Sequence, residues 1–295
     1  MKAKEIANYL GAELIGDPSK VILSPGYLHT AEPTDIAYCF LKNDERDLDA
    51  IIHTNAGVVI ASRHLRDMLI SKGIKGAIIL SDSPKYDFAR VLQKFFRTET
   101  YIVSPQSCIG ENVKLGKHVD IHAGVVIYDN TFVGNRVTIR ANTVLGAEGL
   151  DYGKSKIGEL MRIPHISSLI VKDDVDIGSN TTIQKGILRP TIIGEGTKIG
   201  PNCNIGHEVT IGKHCIITGM TMISGATNIG DHTFIAPHST IKNSINIGSN
   251  VFVGIGSLVL RDVSDNTTVV GRPAIEVEKF RRLRQRLKEI VGEDS

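Results

Sequence analysis

From Ile109 the chain places an aliphatic residue at every sixth position: Leu115, Ile121, Ile127, Val133, Ile139 and Leu145. A second run goes from Ile193 through Ile199, Ile205, Ile211, Ile217, Ile223, Ile229, Ile235, Ile241 and Ile247 to Val253 and Val259. Between the runs, Val171, Ile177 and Ile183 keep the step in another phase, and Ile187, four residues further on, restores the first. Helical patterns recur about every 3.6 residues and strand patterns every second residue, so neither singles out each sixth position. A fixed hexapeptide step is the signature of a parallel β-helix. The residue after the aliphatic is often Gly (Gly110, Gly194, Gly206, Gly212). The third residue after it is a turn former, often Asn (Asn112, Asn130, Asn142, Asn202, Asn250). Asn tolerates the left-handed backbone of a tight corner, so each hexapeptide reads as a short strand plus a corner.

The period fails twice. Residues 146–169 leave it altogether and carry Glu148, Asp151, Tyr152 and His165. An excursion of that length from a regular coil reads as a functional loop. The four-residue step from Ile183 to Ile187 reads as a distortion of one corner.

Outside the repeat the pattern changes character. Ala3, Ile6, Ala7 and Leu10 share one helical face, Gly57–Ile60 and Gly76–Leu80 read as buried strands, and His64–Ser71 and Tyr86–Phe96 read as helices. This predicts a small α/β domain over residues 1–100, a β-helix over 101–273 and a C-terminal helix over 274–295. In the last segment Phe280, Leu283, Leu287 and Ile290 form a stripe among Lys279, Arg281, Arg282, Arg284, Arg286 and Lys288. The expected fold class is therefore mainly β. The basic surface of the helix suits either solvent at one end of the assembly or an acidic partner.

Composition excludes several functions. A net charge of +2, aromatic residues at 5% and no Trp argue against nucleic acid. No apolar run is long enough for a transmembrane helix, and the first ten residues lack a signal-peptide core, so a cytoplasmic protein is expected. Cys39, Cys108, Cys203 and Cys215 show no metal-ligand spacing, and neither a metal nor a permanently bound cofactor is expected. Among the histidines, His118, His214, His232 and His238 all fall at the corner position, which is a structural one. His207 differs, standing two places after Ile205.

The repeat from Ile102 to Pro273 closely resembles the left-handed β-helix of hexapeptide acyltransferases, in which three hexapeptides close one triangular coil and residues 18 apart stack. Several stretches are similar to the UDP-3-O-acylglucosamine N-acyltransferases (LpxD) of lipid A synthesis: Glu5-Ile6-Ala7, Gly11–Gly16, Phe40-Leu41-Lys42-Asn43, Phe88–Leu92, Arg162-Ile163-Pro164-His165 and the segment around His207. The resemblance implies a homotrimer that acts on a nucleotide-linked amino sugar. It makes His207 the general base, since a neutral imidazole takes a proton from an attacking amine near physiological pH. It places Phe40 and Asn43 near the nucleotide base and the loop with Asp151, Tyr152 and His165 near the sugar. Stacking puts Gly225, Asn243 and Arg261 in a column beyond His207, with Arg272 nearby in sequence. That column is read as the acyl-CoA site, Gly225 leaving room for the thioester.

The departures steer the substrate expectation. Arg46 stands where the family has a Tyr, Gly200 where it has an Asp, and Ser244 where it has a second His. They weaken the link to lipid A synthesis, and the expected reaction takes acyl-CoA as co-substrate and a dTDP-4-amino-4,6-dideoxy sugar of the anthrose type as acceptor. An LpxD-type enzyme using an acyl carrier protein, and a non-catalytic β-helix scaffold, stay open.

Overall fold

The computed structural model describes residues 1–40, 44–73, 75–97 and 101–291. The chain divides into two units, Met1–Glu99 and Thr100–Ser295.

The first unit is a five-stranded sheet in the order Leu14–Ile15, Ala77–Ser81, Val58–Ser62, Asp35–Tyr38, Ser24–Pro25, parallel except at the Leu14–Ile15 edge. Val58–Ser62 and Ala77–Ser81 are buried along their whole length, as expected of parallel strands covered on both faces. The helix Ala3–Leu10 packs Ala3, Ile6 and Ala7 on one face with Ile22, Ile36 and Val91. Ile51, Leu65 and Leu69 pack on the other with Val59 and Ile78. The two expected helices appear as Arg66–Lys72, entered through a 3-10 turn at Arg63–Leu65, and Pro84–Val91, continued by a wider turn at Leu92–Phe96.

The second unit is a left-handed parallel β-helix of three faces with seven, nine and eight strands, closed by the helix Val277–Val291. The hexapeptide aliphatics form one continuous core from Val119 to Val269. In the regular coils the third residue after the aliphatic takes the left-handed backbone, with φ of 58° at His118, 52° at His214, 59° at His232 and 60° at His238. His214 and His232 stack at 5.4 Å with planes 17° apart, as the 18-residue spacing requires.

A second inward position, two residues before the aliphatic, was not read from the sequence. It holds Val119, Val125, Val137, Cys203, Val209 and Cys215, but also fully buried Thr143, Thr181, Thr197, Thr227 and Thr233. Each of these hydroxyls donates to a corner carbonyl one coil away: Gly178, Gly200, Gly212, Lys242 and Gly248 in turn. Threonine thus fills the interior and satisfies a carbonyl that the tight corner strands.

Both interruptions sit in adjacent coils. Where coils are regular, partners lie 18 residues apart, as in Lys117 and Asn135. Across the first interruption the separation is 38, as in Asn135 and Asp173. Across the second it is 22, as in Thr181 and Cys203. The first extra segment leaves after Val144–Ala147 and forms an antiparallel hairpin, Tyr152–Lys154 with Leu160–Arg162. The second bulges from the corner after Thr182–Gln184. Ile187 therefore does not occupy a core position: it lies in the bulge, where its carbonyl accepts from the Ile166 and Ser167 amides.

Candidate functional site

The two irregular segments meet at the corner that carries His207. On its face of the β-helix, Leu145 pairs with Ile183 and Ile183 with Ile205, so the hairpin exit, the bulge and His207 follow one another up a single corner. Side chains from this corner clamp the bulge. The Glu208 carboxylate accepts from the backbone N–H of Leu188 at 2.9 Å and of Arg189 at 3.1 Å. Burial pushes the Glu208 carboxyl up, but those two N–H groups and the Arg189 and His207 charges outweigh it and hold the group below its ordinary value. Gln184 accepts the backbone N–H of His207 at 3.1 Å. At the hairpin base, Arg162 pairs with Glu148 at 3.1 Å, and the Ile163 amide donates to Asp151 at 3.0 Å.

The ring of His207 has neighbours on two sides. Its imidazole occupies the space that a side chain at position 225 would take: a Cβ there would lie 2.6 Å from Nε2 and 2.8 Å from Cε1. The sequence reading left that room to a thioester, whereas the His207 ring itself fills it. His165, expected beside the sugar, is only 2% exposed and meets His207 edge-to-face, with ring centres 5.2 Å apart and planes at 88°. Burial first, then the His207 charge, hold the His165 imidazole below its ordinary value, so it is neutral. Nδ1 of His207 is buried without a partner, which leaves Nε2 as the nitrogen for proton transfer.

The other expected site residues fall in several places. Asp151 and Tyr152 open the hairpin, Tyr152 exposed. Asn243 and Arg261 continue the corner beyond Gly225, each exposed, and Arg261 lines a cavity of about 400 Å³ with Lys279. Arg272 instead donates Nε to the Gly256 carbonyl at 2.6 Å. In the first unit, Phe40 lines a cavity of about 530 Å³ together with Tyr27, His29, Tyr38 and Phe88. Cys39, at the same cavity, is pushed up to about 12 by burial and by Asp47, so it is no nucleophile. Asn43 lies outside the described residues. Among the described residues, no three His, Cys, Asp or Glu side chains converge to hold a metal ion, and no helix is long and apolar enough to cross a membrane.

Sequence reasoning singled out His207 but missed the roles of Gln184 and Glu208. A signal existed: once the extra residues are subtracted, both breaks of period fall on the corner of His207.

Residues 190–225 match the family described as Bacterial transferase hexapeptide (six repeats). A UDP-3-O-acylglucosamine N-acyltransferase of Methylobacillus flagellatus is 29% identical over 97% of this chain and 93% of its own length. One of Coxiella burnetii is 30% identical over 86% of this chain and 83% of its own. Among solved structures, LpxA, a UDP-N-acetylglucosamine acyltransferase from Bacteroides fragilis, superposes with a TM-score of 0.50 at 23% identity, over 61% of this chain and 77% of that one, a likeness of fold. The curated relatives correct two expectations. The acceptor is not assigned to the dTDP-linked dideoxy sugars, and acyl-CoA is no longer assigned as co-substrate, because similarity along nearly the whole chain runs to enzymes named for UDP-3-O-acylglucosamine. The departures behind that expectation, Arg46, Gln184, Gly200 and Ser244 among them, are isolated positions that outweigh neither the shared frame nor the shared length.

Proposed function

The chain belongs to the UDP-3-O-acylglucosamine N-acyltransferase family, and we propose that it moves an acyl group from an acyl-carrier-protein thioester to the amine of UDP-3-O-acylglucosamine. The observation that carries this reading is the convergence of both interruptions on His207, whose Nδ1 is buried and whose Nε2 remains for chemistry.

The reaction needs few parts. The neutral amine attacks the thioester carbonyl, and a C–N bond forms. Nε2 of His207 takes the proton that the nitrogen sheds. The C–S bond then breaks, and the imidazolium returns that proton to the departing thiolate, leaving amide and thiol. For Nε2 to accept, Nδ1 must carry the ring proton beforehand.

The corner beyond His207 gives the donor its path. Adjacent strands lie about 4.8 Å apart, so Gly225, Asn243 and Arg261 mark out roughly 14 Å, a substantial part of an extended pantetheine arm. Asn243 offers a donor and an acceptor to its amides. Arg261 and Lys279, sharing one cavity, suit the phosphate that ends the arm. The exposed basic residues of Val277–Val291 suit an acidic carrier surface. In the first unit, the cavity with Tyr27, Tyr38 and Phe40 offers aromatic faces for the nucleotide base. The hairpin with Asp151 and Tyr152 is the candidate contact for the sugar. A homotrimer accounts for the apolar ladder on the outside of the β-helix, where Ile216 is 43% and Phe252 44% exposed and Phe234 stacks on Phe252 at 5.3 Å.

The test is direct. Purified protein given UDP-3-O-acylglucosamine and an acyl-carrier-protein thioester forms the N-acylated sugar nucleotide, detected by mass spectrometry. No product above a protein-free control overturns the assignment.

A further inference from the structure

A general base usually has its second ring nitrogen tied to an acceptor that sets tautomer and orientation. His207 has none among the described residues, since its Nδ1 is buried and unpaired. The nearest carboxylate in sequence, Glu208, spends its oxygen on the Leu188 and Arg189 amides. Something else must hold this ring.

Contacts on two sides do so. The Gly225 backbone lies so close to the Nε2 end that a Cβ would collide with it. At the other ring contact stands His165, carried into the wall by the returning arm of the hairpin segment. His165 is itself pinned. Its Nε2 accepts the Gly149 N–H at 3.2 Å, so its proton sits on Nδ1, which is buried and unpaired. Gln184 extends the same contact set, meeting the space over Gly149 on one side and the His207 backbone on the other.

We propose that His165 is a positioning residue: a buried imidazole that, together with the Gly225 backbone, holds the His207 ring so that Nε2 faces the reacting amine. The proposal rests on the reading of His207 as base. Packing here sets the orientation that a carboxylate sets in a hydrogen-bonded pair, and the ring that does it is delivered by the first interruption of the repeat. The arrangement also assigns His165 no contact with substrate, because it is 2% exposed.

The experiment is a kinetic and spectroscopic series on the full-length protein with UDP-3-O-acylglucosamine and acyl-carrier thioester. His165→Ala is expected to lower kcat roughly 10- to 100-fold, the scale of a slightly misplaced catalytic group, with both KM values unchanged. His165→Gln, uncharged and able to accept from Gly149, is expected to recover most of kcat. Nitrogen-15 NMR of histidine-labelled protein is expected to find one sharp set of His207 ring resonances in the wild type and His165→Gln, and a broadened or doubled set in His165→Ala. Should His165→Ala not fold, His165→Asn, shorter but polar, takes its place with the same two readouts. A raised sugar-nucleotide KM with intact kcat overturns the proposal and makes His165 a substrate contact. An unchanged kcat and unchanged His207 resonances overturn it in favour of a structural role alone. His207→Ala, run in parallel, separates the two readings: if it stays active the base assignment falls, and if it is dead while His165→Ala is normal only the positioning role falls.

Discussion

The coils after Thr191 and the coils interrupted before it are built from the same hexapeptide and treat their polar atoms differently. In the regular coils each inward Thr donates to a corner carbonyl, as Thr227 does to Lys242 and Thr233 to Gly248. In the interrupted coils Thr143 and Thr181 still donate across the breaks, to Gly178 and Gly200, but the accounting is incomplete. The buried side-chain atoms left without a partner among the described residues are Thr131 Oγ1, His165 Nδ1 and His207 Nδ1. Thr131 faces Gly146, where the chain leaves the coil, and the two histidines face each other where it returns. Regular repetition satisfies its groups because every coil presents the same partner at the same height. Breaking the period removes partners locally, and the groups left unpaired lie where the chain leaves the coil and where it returns.

That contrast can be broken by mutation, and the largest effect belongs at its centre. His207→Ala is expected to lower kcat by roughly 10²–10⁴-fold while the β-helix circular dichroism and the assembly state persist. A near-normal rate would move the chemistry away from the interruption. Next comes the clamp on the bulge. Glu208→Ala removes the acceptor of two backbone N–H groups, and hydrogen bonds to a charged group contribute about 1.5–3 kcal/mol. Calorimetry should show a lower Tm, with kcat falling alongside because the bulge adjoins His207. A lower Tm with unchanged kcat would uncouple bulge from base.

In the regular coils the same kind of loss should be silent for activity. Thr233→Val keeps the shape but removes the hydroxyl that donates to Gly248 at 2.8 Å and accepts from Val251 at 3.2 Å. About 1 kcal/mol of stability should go, read by denaturant unfolding, with kcat unchanged. The smallest effect is one of pH. His165 is held below its ordinary value of 6.5, so between the two values the unfolded chain binds a proton that the native state refuses. Its contribution is therefore fully present above 6.5 and declines as the pH falls below it. His165→Gln should remove that part of the slope in unfolding free energy against pH, and an identical slope in both proteins would mean that His165 does not titrate as a buried group.

The regular region was legible because its physics is local and repeated. A six-residue step of aliphatics, with Gly or Asn at the corner, leaves little besides a coil that buries one side chain per strand, and the corner histidines followed from their place in the step. The inward Thr position escaped notice because threonine is polar by composition, and its hydroxyl partner lies a coil away. The bulge misled in a different way. Ile187 restores the phase on paper, yet Ile193 is the residue that returns to the core, since a corner lengthened by four residues cannot hold its own aliphatic inside. The substrate expectation failed because isolated substituted positions, Arg46, Gln184, Gly200 and Ser244 among them, carry less information than similarity over most of the chain.

The sequence by itself determined the coil, its length, the left-handed corners, the two breaks of period and the singular place of His207, since each depends only on residues near one another in the chain. Tertiary structure alone decided that both breaks rise along one corner, that Glu208 and Gln184 turn toward them, and that His165 arrives against the base. Those contacts join residues 16 to 23 positions apart or more, as Gly149 to His165 and Gln184 to His207 show, and only the winding of the chain sets which of them meet.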